Sequence, residues 1–292
     1  PRSSPLFQEF KIWQTLNNIE VSVADRQIKR KKKKEDTLSL FCEPDEFELT
    51  GKRGLTQEEK EFLAKELFIR EKLTKSEVLK MLFENPQELD MNFKQIDGNK
   101  TGYQLFQAYS KVLELSGHEP IDFKKPVDEI MEQTESVFSS LGWNTNVLSF
   151  DSSKKPDEQD YYKLWHLLYS FEGDNTITGD GKSKKKIAML CGFDLEYAPA
   201  LSAVTFIDDY GNLSAKAIRK ILPFMKEGNQ YDIACTYAGY RHSASSLTKE
   251  EIENKQLKEK LELLPKNSLR NPVVEKILNQ MVNVVNSIIE EY

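Results

Sequence analysis

Cysteine is scarce. The 292 residues hold three, Cys42, Cys191 and Cys235, too few and too scattered for a disulfide framework and without metal-ligand spacing. That usage fits a reducing, cytoplasmic setting. Histidine is as sparse: His118, His166 and His242 lie far apart, and none belongs to an H-x-x-x-H or H-E-x-x-H pair. Long apolar runs are missing. The most apolar stretch, Ala198 to Ile207, falls well short of the ~20 residues a membrane-spanning helix needs, and Asp208 follows it. No signal peptide and no nucleophile elbow is visible. These absences argue against disulfide scaffolds, helical membrane proteins and the commonest metal and hydrolase sites, and no catalytic residue, metal ligand or cofactor-binding residue is expected in this chain.

What is present is charge and helix. Apolar residues make up 39%, enough for a core, while 30% charged residues suit an extended helical body with much surface. The net charge of −6 is unevenly spread. "RQIKRKKKK", Arg26 to Lys34, holds seven basic residues in nine, and "KSKKK", Lys182 to Lys186, holds four in five. Acidic residues collect elsewhere, as between Glu43 and Glu66. Local fields, not the total, decide which ligand approaches.

The reading is mainly α, an irregular multi-helix body with at most one short β-hairpin near residues 19–41. "SPLFQEFKIWQTLNN" predicts a first helix with Ser4 as N-cap, Pro5 at its first position, and Leu6, Phe10, Trp13 and Leu16 on one face. "IEVSV" alternates like a strand, with "TLSLF", Thr37 to Phe41, returning beside it across the lysine tip. Thr56/Glu59, Thr74/Glu77 and Thr248/Glu251 each have the spacing of a capping box. "YQLFQAYSKVLEL" is helical to near Gly117, a helix is expected from about Val127 to Leu141, and "YYKLWHLLYSF" turns Leu164, Trp165, Leu168 and Tyr169 to a core. The last helix, capped by Asn271 with Pro272 behind it, carries an apolar row from Val273 to Ile289 and needs something substantial to pack on. No repeat of fixed period is present. A division into residues 1–117 and 118–292 is expected, and the start at Pro1 and stop at Tyr292 read as a piece of a larger protein.

Two motif mimics dissolve on inspection. "DGNKTG", Asp97 to Gly102, opens like a calcium loop, but Ala108 stands where the bidentate Glu is required. "TITGDGKS" ends like a phosphate-binding loop, but Thr176 replaces its first Gly. Both read as turns. His166 reads as a packed core or hydrogen-bonding histidine rather than a ligand, and Asp208–Asp209 as a capping pair. The strongest signal is "YGNLSAKAIRKILPFMKEG", Tyr210 to Gly228. At helical pitch Lys216, Arg219 and Lys220 fall within roughly a 100° arc, with Ile218, Ile221, Leu222 and Met225 opposite. Small Ala215 and Ala217 beside these cations leave room for a phosphate backbone to approach.

"PLFQEFKIWQTLNNI", "IDGNKTG", "LWHLLYS", "YGNLSAKAIRKILP" and "SLRNPVVEKILNQMVNVVNSIIEEY" occur in that order. Together they resemble the middle of the RNA-guided DNA endonucleases of type II CRISPR systems, nearest the compact II-C subtype, in blocks spread from residue 1 to 292. Two departures stand out: Lys11 replaces the family's usual Arg in its first block, and the lysine tip looks like a local insertion.

The resemblance implies a bacterial, cytoplasmic, α-helical recognition lobe that holds guide RNA and its heteroduplex with target DNA. It implies no catalysis in this chain, because the nuclease carboxylates, which would use Mg, lie elsewhere in the parent enzyme. Partners implied are the guide RNA, the target DNA strand, the rest of the nuclease, and possible phage anti-CRISPR inhibitor proteins. The expected phosphate contacts are Lys216, Arg219, Lys220 and Ser214, then Asn99, Lys100 and Thr101, then Asn229 and Gln230, then Lys11 and Gln14. Trp13 is expected to pack. The rival reading is a helical protein-interaction module docking an acidic partner, with the Val273–Ile289 row as its surface.

Overall fold

The computed structural model describes residues 1–23, 51–171, 182–240, 260–265 and 272–291. The expected Thr248/Glu251 box, the strand at 37–41, the lysine tip and the "TITGDG" turn lie outside them. The described chain is mainly helical with a few short antiparallel strands, and it divides into two compact units, Pro1–Tyr240 and Arg241–Tyr292.

Helix α1 (Pro5–Leu16) starts as its sequence dictates: the Ser4 hydroxyl accepts from the Phe7 N–H at 3.3 Å, and Pro5 opens the first turn. It is buried on two sides. Leu6, Phe10 and Trp13 enter one cluster, while Ile12 and Leu16 enter another. Strand β1 (Glu20–Val23) follows, as "IEVSV" predicts, but its partners differ from expectation. It runs antiparallel between β2 (Lys52–Gly54) and β4 (Leu89–Met91), with Val21 opposite both Arg53 and Met91. Both edges of β1 are therefore taken by these two strands. Between those strands lie α2 (Gln57–Glu66), β3 (Lys72–Thr74) and α3 (Lys75–Leu82). Both described capping boxes close, Thr56 with Glu59 and Thr74 with Glu77. Strand β5 (Gln95–Asp97) pairs antiparallel with β3.

Helix α4 (Lys100–Leu115) begins directly after β5 and ends before Gly117, whose φ of +83° lets the chain reverse. Then come α5 (Val127–Ser140), α6 (Asp160–Ser170), α7 (Lys182–Cys191) and the short α8 (Ala198–Ser202). Phe106 and Tyr109 of α4, Phe138 of α5, and Tyr161 and Trp165 of α6 are buried in one shared core. That core crosses residue 117, so the expected break there separates nothing; the contact division falls after Tyr240. His166 is not a core residue. It is exposed, with its ring stacked 6.4 Å from that of Tyr162, because Leu164, Trp165 and Leu168 take the inward side of α6. Helices α9 (Ala215–Lys226) and α10 (Tyr231–Tyr237) complete the first unit.

In the second unit, α11 (Pro272–Glu291) carries the long apolar row, and among the described residues that row is exposed: Val273 at 65%, Met281 at 59% and Val284 at 60%. Residues 260–265 run antiparallel to it. The Asn279 side chain accepts from the Leu264 N–H at 2.7 Å and donates to its carbonyl at 3.2 Å. Asn286 does the same for Leu261 at 2.8 and 2.9 Å. The spacing has a simple origin. Seven helical residues rise about 10.5 Å, so two asparagines a heptad apart on α11 reach two leucines three residues apart in 260–265.

Candidate nucleic-acid interface

Helix α9 is built as a rigid carrier. Ser214 caps it, accepting from the Ala217 N–H at 3.2 Å. Ile218, Ile221, Leu222 and Met225 are buried against Leu6, Phe10 and Trp13 of α1, which also settles Trp13 as a packing residue. The C-terminal carbonyls are held unusually well. Asn17 donates to Met225 and to Asn229, both at 2.8 Å, and Gln57 donates to Lys226 at 2.6 Å. The Lys60 ammonium sits 3.5 Å from the Gly228 carbonyl. Lys60 is 9% exposed, and burial lowers its pKa from the ordinary lysine value. A cation there also complements the negative end of the α9 dipole. Lys226 is tied to Glu9 and donates to the Ser152 hydroxyl at 2.8 Å.

The opposite face of α9 is different. Lys216, Arg219 and Lys220 are exposed, and none pairs with a carboxylate among the described residues. The Lys220 ammonium lies 5.7 Å from the Tyr240 ring centroid, a cation–π distance that keeps the charge outward. Pro223 stands in the last turns and has no N–H for the Arg219 carbonyl, so that oxygen lacks its usual helical donor.

The "IDGNKTG" block turns out to be a joint. A Cβ on Gly98 would meet the Arg70 carbonyl oxygen at 2.2 Å, and one on Gly102 would meet that of Phe68 at 2.2 Å. The chain passes so close to the turn after α2 that neither position tolerates a side chain. Asn99 is buried and caps α4 through the Gly102 N–H at 2.8 Å, while its own N–H bonds the Leu67 carbonyl at 2.8 Å. Thr101, also buried, donates to the Ser3 carbonyl at 2.6 Å. Asn99 and Thr101 are thus committed internally. Lys100 remains half-exposed, 3.8 Å from Asp97, and its backbone N–H bonds Gln8 at 2.8 Å. Asn229 is likewise engaged, its amide donating to the Phe224 carbonyl at 2.9 Å. Gln230 is exposed at the start of α10.

Lys11 and Gln14 stand on the polar side of α1, the ammonium donating to the amide oxygen at 2.6 Å. Together with Lys100 they line one cavity of about 530 Å³, whose far side is the loop running into Ser214. The structure therefore brings together Lys11, Gln14, Lys100 and the entry to α9, from three separate blocks of sequence. Sequence reasoning missed Asn212 in that loop, which has no periodicity to betray it, and Arg2, which Asp209 holds at 2.7 Å. It also missed Asn17, Gln57 and Lys60; the only available signal was a polar residue, Asn17, following the apolar face of α1. Asp209 accepts from the adjacent Tyr210 N–H at 2.8 Å, but neither it nor Asp208 caps a helix, because α9 begins only at Ala215 with Ser214 as its cap.

Among the described residues no three of His, Cys, Asp and Glu cluster as metal ligands, and no helix is long and apolar enough to cross a membrane. No protein-family model matches the chain.

Proposed function

We propose that this chain is a non-catalytic recognition lobe of a type II CRISPR RNA-guided DNA endonuclease, binding guide RNA and the guide–target heteroduplex through backbone phosphates. The observation that carries the reading is the row of Lys216, Arg219 and Lys220, exposed and paired with no carboxylate among the described residues, on a helix whose other face is locked into α1. In RNA-guided recognition base pairing reads the sequence, so the protein needs only the A-form shape and backbone charge of the hybrid. Fixed cations on a rigid helix supply that. Lys11, Gln14 and Lys100 extend the same chemistry into the adjacent cavity, with Ser214 and Gln230 at helix starts nearby in sequence. The parent enzyme, with its Mg-dependent nuclease domains, is the expected context and the rest of it an expected partner.

The test is fluorescence anisotropy with labelled RNA–DNA hybrid, RNA duplex and DNA duplex across a salt series. About four to six phosphate contacts give a slope of log K against log salt near −3 to −5. Salt-independent binding, or none of the three at low salt, overturns the reading.

The exposed row of α11 favours a second reading, a module that docks another protein through Val273 to Ile289, an inhibitor protein included. It predicts that heparin fails to compete for the partner, whereas heparin displaces hybrid from a phosphate site.

A further inference from the structure

The cavity lined by Lys11 and Lys100 differs in charge from the two other large cavities described. Three cations, Arg2, Lys11 and Lys100, line it with one carboxylate, Asp97, in a chain of net charge −6. Asp209 holds Arg2 at 2.7 Å and Asp97 stands 3.8 Å from Lys100, which leaves Lys11 as the cation with no carboxylate among the described residues. In the other two cavities, carboxylates outnumber amines three to two and three to one. Its inner wall is aromatic. Phe10 meets Tyr231 edge-on with ring centroids 5.8 Å apart, and Phe7 lies 6.3 Å from Phe10. Gly211 closes on Phe7 so tightly that a Cβ there would lie 2.3 Å from the ring. At the rim, Gln14 presents its amide beside Lys11, and the Asn212 side chain is exposed with no hydrogen-bond partner among the described residues.

Cations at the mouth, an aromatic wall behind, and amides between them form a two-part chemistry. A free phosphate would leave the wall unused, and a duplex cannot enter a space of about 530 Å³ with its bases stacked. A nucleotide turned out of its stack uses all three features, since every base offers a face to an aromatic ring and an edge to an amide. We propose that this cavity receives a single unpaired nucleotide of bound RNA, its phosphate against Lys11 and Lys100 and its base against Phe7. The assignment rests on the nucleic-acid reading above and narrows it to one subsite.

The test compares two labelled RNA duplexes, identical except for one single-nucleotide bulge, with AMP as a separate titrant followed by NMR. The whole chain should bind the bulged duplex about five-fold or more tightly than the continuous one, a gain of the size one stacked base supplies. Gly211→Ala, which drives a methyl into the Phe7 ring, and Asn212→Asp, which puts a carboxylate at the exposed rim, should each bring that ratio to one. Asn212→Asp keeps the test open if Gly211→Ala fails to fold. Equal affinity for both duplexes in the unaltered chain overturns the subsite and leaves the nucleic-acid reading standing. No binding to either duplex overturns both. Saturable AMP binding without bulge preference reassigns the cavity to free nucleotides and overturns the RNA assignment.

Discussion

Asn17 and Met225 stand 208 residues apart in sequence, yet the side-chain amide of one donates to the carbonyl of the other at 2.8 Å in the interior. The same amide reaches the Asn229 carbonyl at 2.8 Å. One polar side chain thereby fastens the end of α1 to the end of α9, and fixes where the cations of α9 point.

Asn17→Ala leaves those two carbonyls without their side-chain donor in a buried site. Stability should fall by about 2 kcal/mol, read as a lower urea midpoint at unchanged m. Asn212→Ala, at an exposed position, should change it by less than about 0.5 kcal/mol. Equal losses in the two variants would show that the Asn17 bonds contribute nothing special.

Reversing Lys216, Arg219 and Lys220 to Glu together should weaken hybrid binding and flatten the salt slope by about 2–3, because each lost phosphate contact removes nearly one released counterion. The circular dichroism spectrum should be unchanged, since α9 is held by its buried face and its capped end. Retained affinity in a folded triple variant would remove α9 from the interface.

Acid should loosen the first unit. Hydrogen bonds from Thr74 hold the Glu77 carboxyl below its ordinary pKa; those from Lys75 and the Met91 N–H do so for Asp90, and those from Asn144 and Lys163 for Asp160. A depressed folded-state value means that the stabilisation is complete above the unfolded carboxylate pKa of about 4, and is lost as pH falls through the lower folded values. Urea midpoints should therefore hold steady down to about pH 5 and then drop. Glu77→Gln should lower the midpoint at neutral pH and shallow the acid decline. An unchanged decline would place its origin elsewhere.

Asn279→Ala and Asn286→Ala should free the stretch 260–265 from α11. The readout is amide hydrogen exchange at Leu264 and Leu261, whose N–H groups bond those side chains at 2.7 and 2.8 Å. Each substitution should speed exchange at its own leucine first. Exchange that is fast before any substitution would mean the pairing does not persist in solution.

Local chemistry was legible from the sequence wherever neighbours along the chain settle it. Ser4, Thr56 and Thr74 cap as their spacing predicts, and Ile218, Ile221, Leu222 and Met225 turn inward as the helical wheel requires. The chain as a whole is mainly helical, as expected. The partners of β1 were not legible, because a four-residue strand says nothing about which of several short segments will flank it, and the winners lie about 30 and 70 residues away. That Asn99 and Thr101 are buried and bonded internally was not legible for a related reason. A polar residue in a turn looks the same whether it faces solvent or closes a buried bond, and only burial tells the two apart.

The sequence alone determined the helices, their caps and the segregation of cations from apolar residues on α9, because each depends on contacts three or four residues apart. Only the tertiary structure decided that Asn17, Gln57 and Lys60 would grip the end of α9, and that Lys11, Gln14 and Lys100 would share a cavity with Asn212. Those arrangements join segments far apart in the chain, and no periodicity in a linear pattern encodes which distant surfaces will shed their water against one another.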